Sequence, residues 1–184
     1  MGLCLSTFRS LSEGLRLLPI LLALVASLPA WAETYTGRVV RITDGDTVVV
    51  LDESRVQHKV RLAGIDAPEK KQPFGNIAKQ NLAALVFGKT VTVETSKLDR
   101  YRREIGKVVV GTTDANLEQI RAGLAWHYRQ YDRELHREDR VAYSNAETLA
   151  RQERRGLWRD ANPVPPWDFR HRKANGTKGL LLVD

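Results

Sequence analysis

Apolar residues recur at every second position in three early segments of the chain. "YTGRVVRI" (35–42) leads into Asp44-Gly45, and "TVVVL" (47–51) returns from it. Asp-Gly between alternating apolar runs is a hairpin signal, because glycine tolerates positive φ and aspartate bonds its own backbone. "DESR" then turns into "VQHKVRLAGI" (56–65), where Val56, His58, Val60 and Leu62 alternate with Gln57, Lys59, Arg61 and Ala63. That period of two predicts a third strand with one buried face and puts Arg61 with the polar set. "KTVTVETS" and "GKVVVG" alternate again as fourth and fifth strands, on either side of the charged turn "LDRYRRE".

Helical spacing takes over between and after these strands. Ala78, Leu82, Leu85 and Val86 follow "PEKKQPFG" at intervals of three and four, and Gly88 is the expected stop. A second helix is expected through "NLEQIRAGLA", with Leu117, Ile120 and Leu124 on one face. A third, from about Arg137 to Arg155, is rich in Ala, Glu and Arg and ends at Gly156. Strands, helix, strands and helices in this order form an α+β domain. A five-stranded Greek-key β-barrel of the OB-fold type, with three packed helices, accommodates it. Residues 161–184 carry too much proline and too little periodicity for another element. The aromatic part of this tail is expected to pack on the barrel and its end to be mobile.

The N-terminus obeys a different pattern. Arg9 and Arg16 precede the apolar run "LLPILLALVASLP", and "AWA" follows at 30–32. That is the order of a secretory signal peptide, so residues 1–32 are expected to be cleaved after Ala32 and the protein exported, secreted or periplasmic. An uncleaved anchor is the alternative, but the run is short and Pro19 interrupts it. "MGLCLS" also fits a myristoylation pattern, which an export segment directly behind it argues against. Cys4 is the only cysteine, so the exported form has no disulfide and no thiolate metal site. The full chain of 184 residues has a formal charge of +7. Such a balance favours polyanionic partners, nucleic acid or anionic membrane, without choosing between them.

Candidate chemistry lies where the strands end. A hairpin turn needs Asp44 and Gly45 but not Asp46. If the first three strands pair as neighbours, Asp46 at the start of the second lies near Asp66 at the end of the third. Two adjacent carboxylates repel unless a cation or proton lies between them. Oxygen donors without His or Cys suit a hard cation, Ca²⁺ or Mg²⁺. The bland alternative is a cap or turn role for each aspartate separately. Arg61 near the same rim and Arg103 at the entrance to the fifth strand form a candidate phosphate clamp. Glu69 is the candidate for orienting or deprotonating an attacking water.

"DGDT", "VRLAGIDAPE", "DRYRR" and "GLAW…RRGLW" occur in that order from about Tyr35 to Trp158. In this the chain resembles the thermonuclease family, whose type member is staphylococcal nuclease. The resemblance implies that residues 33–160 form an OB-fold nuclease domain. It implies a Ca²⁺-dependent endonuclease that acts on DNA and RNA and leaves 3′-phosphorylated ends. By motif position, Asp46, Asp66 and the carbonyl of Ala67 would hold the calcium. Arg61 and Arg103 would grip the scissile phosphate, Glu69 would act as general base, and Tyr101 and Tyr128 would contact the nucleotide. A monomer without stable membrane association after leader removal is expected.

Two departures from the family pattern stand out. Ala67 replaces threonine, at little cost for a backbone contact. Arg102 replaces the glycine of "RYGR"; if that glycine has positive φ, arginine there costs about 1 kcal/mol and tends to shift Arg103. The main rival reading is an OB barrel that holds single-stranded nucleic acid without cutting it. Aromatic content of only 7% and three carboxylates that repel phosphate argue against it. A purely structural domain leaves the matched acids and arginines without a role.

Overall fold

The computed structural model describes residues 33–172. The expected leader and the end of the tail lie outside the described residues. Five long strands form the barrel: β1 (Glu33–Ile42), β2 (Thr47–Asp52), β3 (Gln57–Leu62), β5 (Thr90–Leu98) and β6 (Glu104–Val110). They are hydrogen-bonded in the order β3-β2-β1-β5-β6, and a parallel β3–β6 pairing closes the ring. Closure removes the sheet edges, which is how an antiparallel sheet of this size avoids exposed backbone. Three two-residue strands, β4 (Ile65–Asp66), β7 (Thr113–Asp114) and β8 (Trp126–His127), were not foreseen. They are too short to generate a period.

The predicted alternation sets the interior. Val39, Val48, Val50, Val60, Leu62, Val91, Val93 and Val108 are all buried inside the ring. Against them pack Ala78, Leu82 and Val86 of α1 (Gly75–Val86), Ile120 of α2 (Ala115–Arg121), and Tyr143 and Ala146 of α3 (Arg137–Gln152). A smaller cluster of Trp126, Ala150, Leu157 and Trp158 lies beside this core, with Phe74 and Trp167 packed on it.

Four local expectations are corrected. Val56 is 52% exposed and precedes β3, because the pairing with β2 ends at Gln57, opposite Leu51. Leu124 is buried, but α2 stops before it. Gly123 turns at φ 67° and its carbonyl accepts from the Leu157 N–H at 2.8 Å, a close approach that a longer helix would break. Gly45 does not have the positive φ that the hairpin rule assigns. It is glycine because an added Cβ would lie 2.7 Å from both the Ala67 and the Ala78 Cβ atoms. Finally, residues 166–172 of the tail are helical. Pro165 and Pro166 stand at the start of that turn, where a missing N–H costs nothing.

His58 belongs to the inner parity of β3, yet it is polar. It ties the end of the barrel away from Asp46: Nδ1 lies 2.7 Å from Glu104 Oε1, and Nε2 lies 3.1 Å from Asp52 Oδ2. The Tyr35 hydroxyl donates to the other Glu104 oxygen at 2.6 Å. Partial burial works to lower the His58 pKa, but the bonds to Glu104 and Asp52 outweigh it and raise the value. A raised folded pKa stabilises fully below the unfolded value, about 6.5. That contribution is lost as pH rises through the folded value. The melting-temperature gap between the protein and His58→Gln should therefore be widest near the acid end of a pH 5–9 series and shrink upward. A gap independent of pH would mean that the imidazolium does not hold these strands.

Between β5 and β6, Asp99 organises the turn. Its Oδ1 accepts from the Tyr101 and Arg103 N–H groups at 2.8 and 2.9 Å, while Arg103 Nε donates to Oδ2 at 2.7 Å. Arg102 has φ 60°, so the arginine does occupy a glycine-favouring conformation. Arg102→Gly should stabilise the protein by about 1 kcal/mol in denaturant unfolding, because a side chain in this region is strained by that much. Equal or lower stability would show that the arginine compensates elsewhere.

Candidate active site

The turn joining β1 to β2 places Asp46. Its own N–H donates to Asp44 Oδ1 at 3.1 Å, the local aspartate bond the turn chemistry predicts. Thr47 pairs with Arg61 in the β2–β3 register, and Leu62 N–H donates to the Asp46 carbonyl at 2.8 Å. Asp46 is thus fixed beside the end of β3. Asp66 arrives from the other side, after the chain turns through Gly64 and pairs β4 with β8, opposite Trp126. The two carboxylates meet on one guanidinium nitrogen: Arg61 Nη2 lies 3.4 Å from Asp46 Oδ2 and 2.7 Å from Asp66 Oδ1. The predicted convergence is present.

Buried polar groups hold this corner in place. Asp46 Oδ2 accepts from the Ala67 N–H at 3.0 Å, and Oδ1 from the Thr47 hydroxyl at 3.0 Å. Gln119 of α2, fully buried, donates to the carbonyls of Gly45 at 2.6 Å and Ala78 at 3.0 Å. Asn116 donates to Ala63 and Gly106 at 3.0 and 3.2 Å, binding the end of β3 to β6. Sequence reading missed both residues, since one turn of α2 presents them toward the barrel where apolar residues were expected. Each satisfies backbone groups that would be costly to bury alone.

The charges differ in how they are compensated. Burial pushes the Asp66 carboxyl up to about 6, against the pull of Arg170 and Arg61. Burial and the neighbouring Asp46 charge push Asp44 up to about 7. Burial also works on Asp46, but the Arg61 guanidinium and the Ala67 N–H hold it below the usual carboxylate range. Asp46 therefore keeps its charge while its neighbours resist ionising, as expected where several carboxylates share a small volume.

Arg103 is near this rim but faces another partner. Arg61 pairs with Ile105 across the parallel β3–β6 ladder, so Arg103 lies diagonal to Arg61 on the outer face. Both its Nε and its Nη2 rest on Asp99 Oδ2, each at 2.7 Å. Tyr101 is 65% exposed in the same turn, under the Arg100 and Arg103 guanidinium groups. Tyr128 follows β8, with its N–H donating to Gly64 at 2.8 Å. Its hydroxyl donates to Gln130 Oε1 at 2.9 Å, and burial and the Asp66 charge raise its pKa. Glu69 is half-exposed in the loop after Pro68, and its N–H bonds the Gln72 side chain at 3.1 Å.

The tail brings an unforeseen residue to the site. Arg170 Nη2 lies 2.7 Å from Asp66 Oδ2, and its Nη1 lies 3.2 Å from Asp66 Oδ1 and 2.8 Å from Glu69 Oε1. No local pattern marks a contact made across 104 positions of chain.

The donor chemistry fits a hard cation. Two buried carboxylates and the adjacent Ala67 backbone offer oxygen without nitrogen or sulfur. Asp66 has both oxygens on cations, so this corner already requires positive charge. Among the described residues there is no cluster of three or more His, Cys, Asp or Glu suited to a metal. A bound ion would thus depend on water for the rest of its shell.

The family profile described as "Staphylococcal nuclease homologue" matches residues 59–160. The chain is 44% identical over 154 residues to an "Uncharacterized endonuclease" of Escherichia coli, covering 83% of this chain and 96% of that one. It is 40% identical over 178 residues to a "Micrococcal nuclease" of Shigella flexneri, covering 92% and 99%. An "Uncharacterized endonuclease" of Haemophilus influenzae is 40% identical over 141 residues, 77% of this chain and 76% of that one. With the barrel, the paired aspartates and the bridging arginine in place, the chain belongs to the staphylococcal nuclease homologue family.

Proposed function

We propose that this nuclease-family hydrolase is a Ca²⁺-dependent endonuclease that cleaves DNA and RNA to 3′-phosphorylated ends. The observation that carries the reading is the meeting of two buried carboxylates, Asp46 and Asp66, on the partly buried Arg61, groups brought together from two separate stretches of chain. The Asp46 and Asp66 side chains and the Ala67 carbonyl would hold the cation. When bound, Ca²⁺ supplies positive charge for the phosphoryl oxygens as their negative charge grows.

The rest is the work of the chain's own side chains. Arg61 is anchored by its Nη1 bond to the Ile65 carbonyl at 3.1 Å, so its fork is held at the rim with little freedom to lose. Arg103 joins it on the same face once phosphate competes with Asp99. Glu69, exposed enough to reach solvent, takes a proton from water as the water oxygen bonds to phosphorus. The bond from phosphorus to the 5′ oxygen breaks in line, and the leaving oxygen takes up a proton to become a hydroxyl. Phosphate thereby stays on the 3′ side. Tyr101 and Tyr128 flank this path with aromatic faces suited to bases. We further propose that the protein is exported as a monomer after cleavage behind Ala32. Every barrel strand among the described residues, β1 from Glu33 onward, lies beyond that cleavage point.

Purified protein should degrade DNA and RNA at millimolar Ca²⁺, stop on addition of a chelator, and leave fragments that a 3′-phosphatase can trim. Intact polymer in Ca²⁺ would overturn the reading. Asp46→Asn keeps the shape of the turn but removes a charge, and should abolish the Ca²⁺ response with little loss of melting temperature. Arg61→Ala should lower kcat by a factor of about 10²–10³, the scale of one lost donor to a transition-state oxyanion. A kcat within a fewfold of wild type would take Arg61 out of the clamp.

A further inference from the structure

The rim carries more negative charge than the barrel itself answers. Among the described residues, Arg61 is the one cationic side chain of the barrel paired with Asp46 and Asp66, and the ion pair of Glu69 is made by the tail. The balance is made up from the tail. Its path is fixed by Gln72, whose Nε2 donates to the Val164 carbonyl at 2.5 Å. The helical turn that follows presents Trp167 and Arg170, three residues apart, toward the site. Arg170 forks onto both oxygens of Asp66 and onto Glu69. Trp167 lies parallel to Tyr128, with ring centroids 5.2 Å apart and 7° between planes, and edge-on to Trp126 at 5.6 Å.

We propose that the arm formed by residues 161–172 is an internal ligand of the active site, with Arg170 standing in for the divalent cation and Trp167 for a nucleobase. The inference rests on the nuclease reading above and deepens it. A guanidinium on both Asp66 oxygens uses the lone pairs that a cation would take, and its charge repels a second cation at that distance. Trp167 covers one face of Tyr128, the face a base would need for stacking. Cation and arm therefore exclude each other, and each weakens the other by the same factor.

The docked state is held loosely. Arg170 keeps 41% of its side chain exposed, whereas Arg61 keeps 14%. The hold consists of the ion pairs of a half-exposed guanidinium to Asp66 and Glu69, one Gln72 bond and the Trp167 ring contacts, and the exposure of Arg170 leaves it open to exchange. If the arm is docked nine-tenths of the time, the apparent Kd for Ca²⁺ is raised about tenfold.

Titration calorimetry of Ca²⁺ into the otherwise intact protein tests this without reference to turnover. Arg170→Ala should tighten the Kd by about tenfold, with Arg170→Lys between it and wild type, because lysine keeps the charge but loses the fork. Saturating Ca²⁺ should also speed hydrogen exchange of the backbone amides of residues 163–172 in the wild-type protein. An unchanged or weaker Kd in Arg170→Ala, or arm amides no less protected in Ca²⁺, overturns the proposal. Should the wild-type protein cleave DNA in Ca²⁺ while Arg170→Ala binds no tighter, only the arm proposal falls. Should wild type and variant both fail to bind Ca²⁺ and fail to cleave, the nuclease reading falls with it.

Discussion

Two carboxylates buried at one corner of a barrel are the constraint around which the molecule is arranged. Asp46 is 7% exposed and Asp66 is 0% exposed, and neither can hold its charge there without a cation beside it. Arg61 meets that need for both at once, which is why the end of β3 must lie against the start of β2. The β2–β3 register sets one carboxylate, and the short β4–β8 pairing sets the other. A slip of one residue in β3 would send Arg61 to the inner face and Val60 to the rim, so the valine alternation guards the site as well as the core.

The rigidity of that corner comes from small residues and buried amides more than from bulk. Gly45, Ala67 and Ala78 touch closely enough that no larger side chain fits at the turn. Gln119 and Asn116 then satisfy carbonyls of the turn, α1 and the β3–β6 junction. Such a network is costly if half satisfied and rigid if complete. The other end of the ring is closed by His58, Glu104, Asp52 and Tyr35, polar groups that are satisfied by one another. One end thus has its polar groups matched internally. The end with the aspartates keeps an excess of negative charge.

Sequence pattern reaches some of this architecture and not the rest, for physical reasons. The five long strands repeat every two residues over enough length to be seen, and the Asp46-to-Asp66 meeting follows from their neighbour order. The Arg61 position follows from parity. Gly45 was expected for the wrong reason: local turn rules see φ, but not the Ala78 Cβ pressed against it from α1. Gln119 and Asn116 escaped because helix patterns count apolar residues, and a buried amide reads as surface. The tail helix escaped because prolines mark breaks more often than starts. Pro165-Pro166 before Trp167 was the one local signal available.

Arg61 and Arg170 show how one kind of group can serve two purposes through its setting. Both bond Asp66, each with a contact of 2.7 Å, so bond length does not separate them. What separates them is what else must move. Arg61 is on a strand of the closed ring, tied to the Ile65 carbonyl, and leaving Asp66 would still keep it at the rim. Arg170 is on a short helical turn tethered by the Gln72 contact, by Trp167 against Tyr128 and Trp126, and by its own pair with Glu69. The barrel therefore contributes a positive charge fixed at the rim, and the tail contributes one whose place depends on its own contacts. That division sets two guanidinium groups against the buried carboxylate of Asp66, one fixed in the ring and one carried by the tail. Under the proposal made above, release of the arm, rather than rearrangement of the barrel, is the conformational change that a cation and a polynucleotide would require.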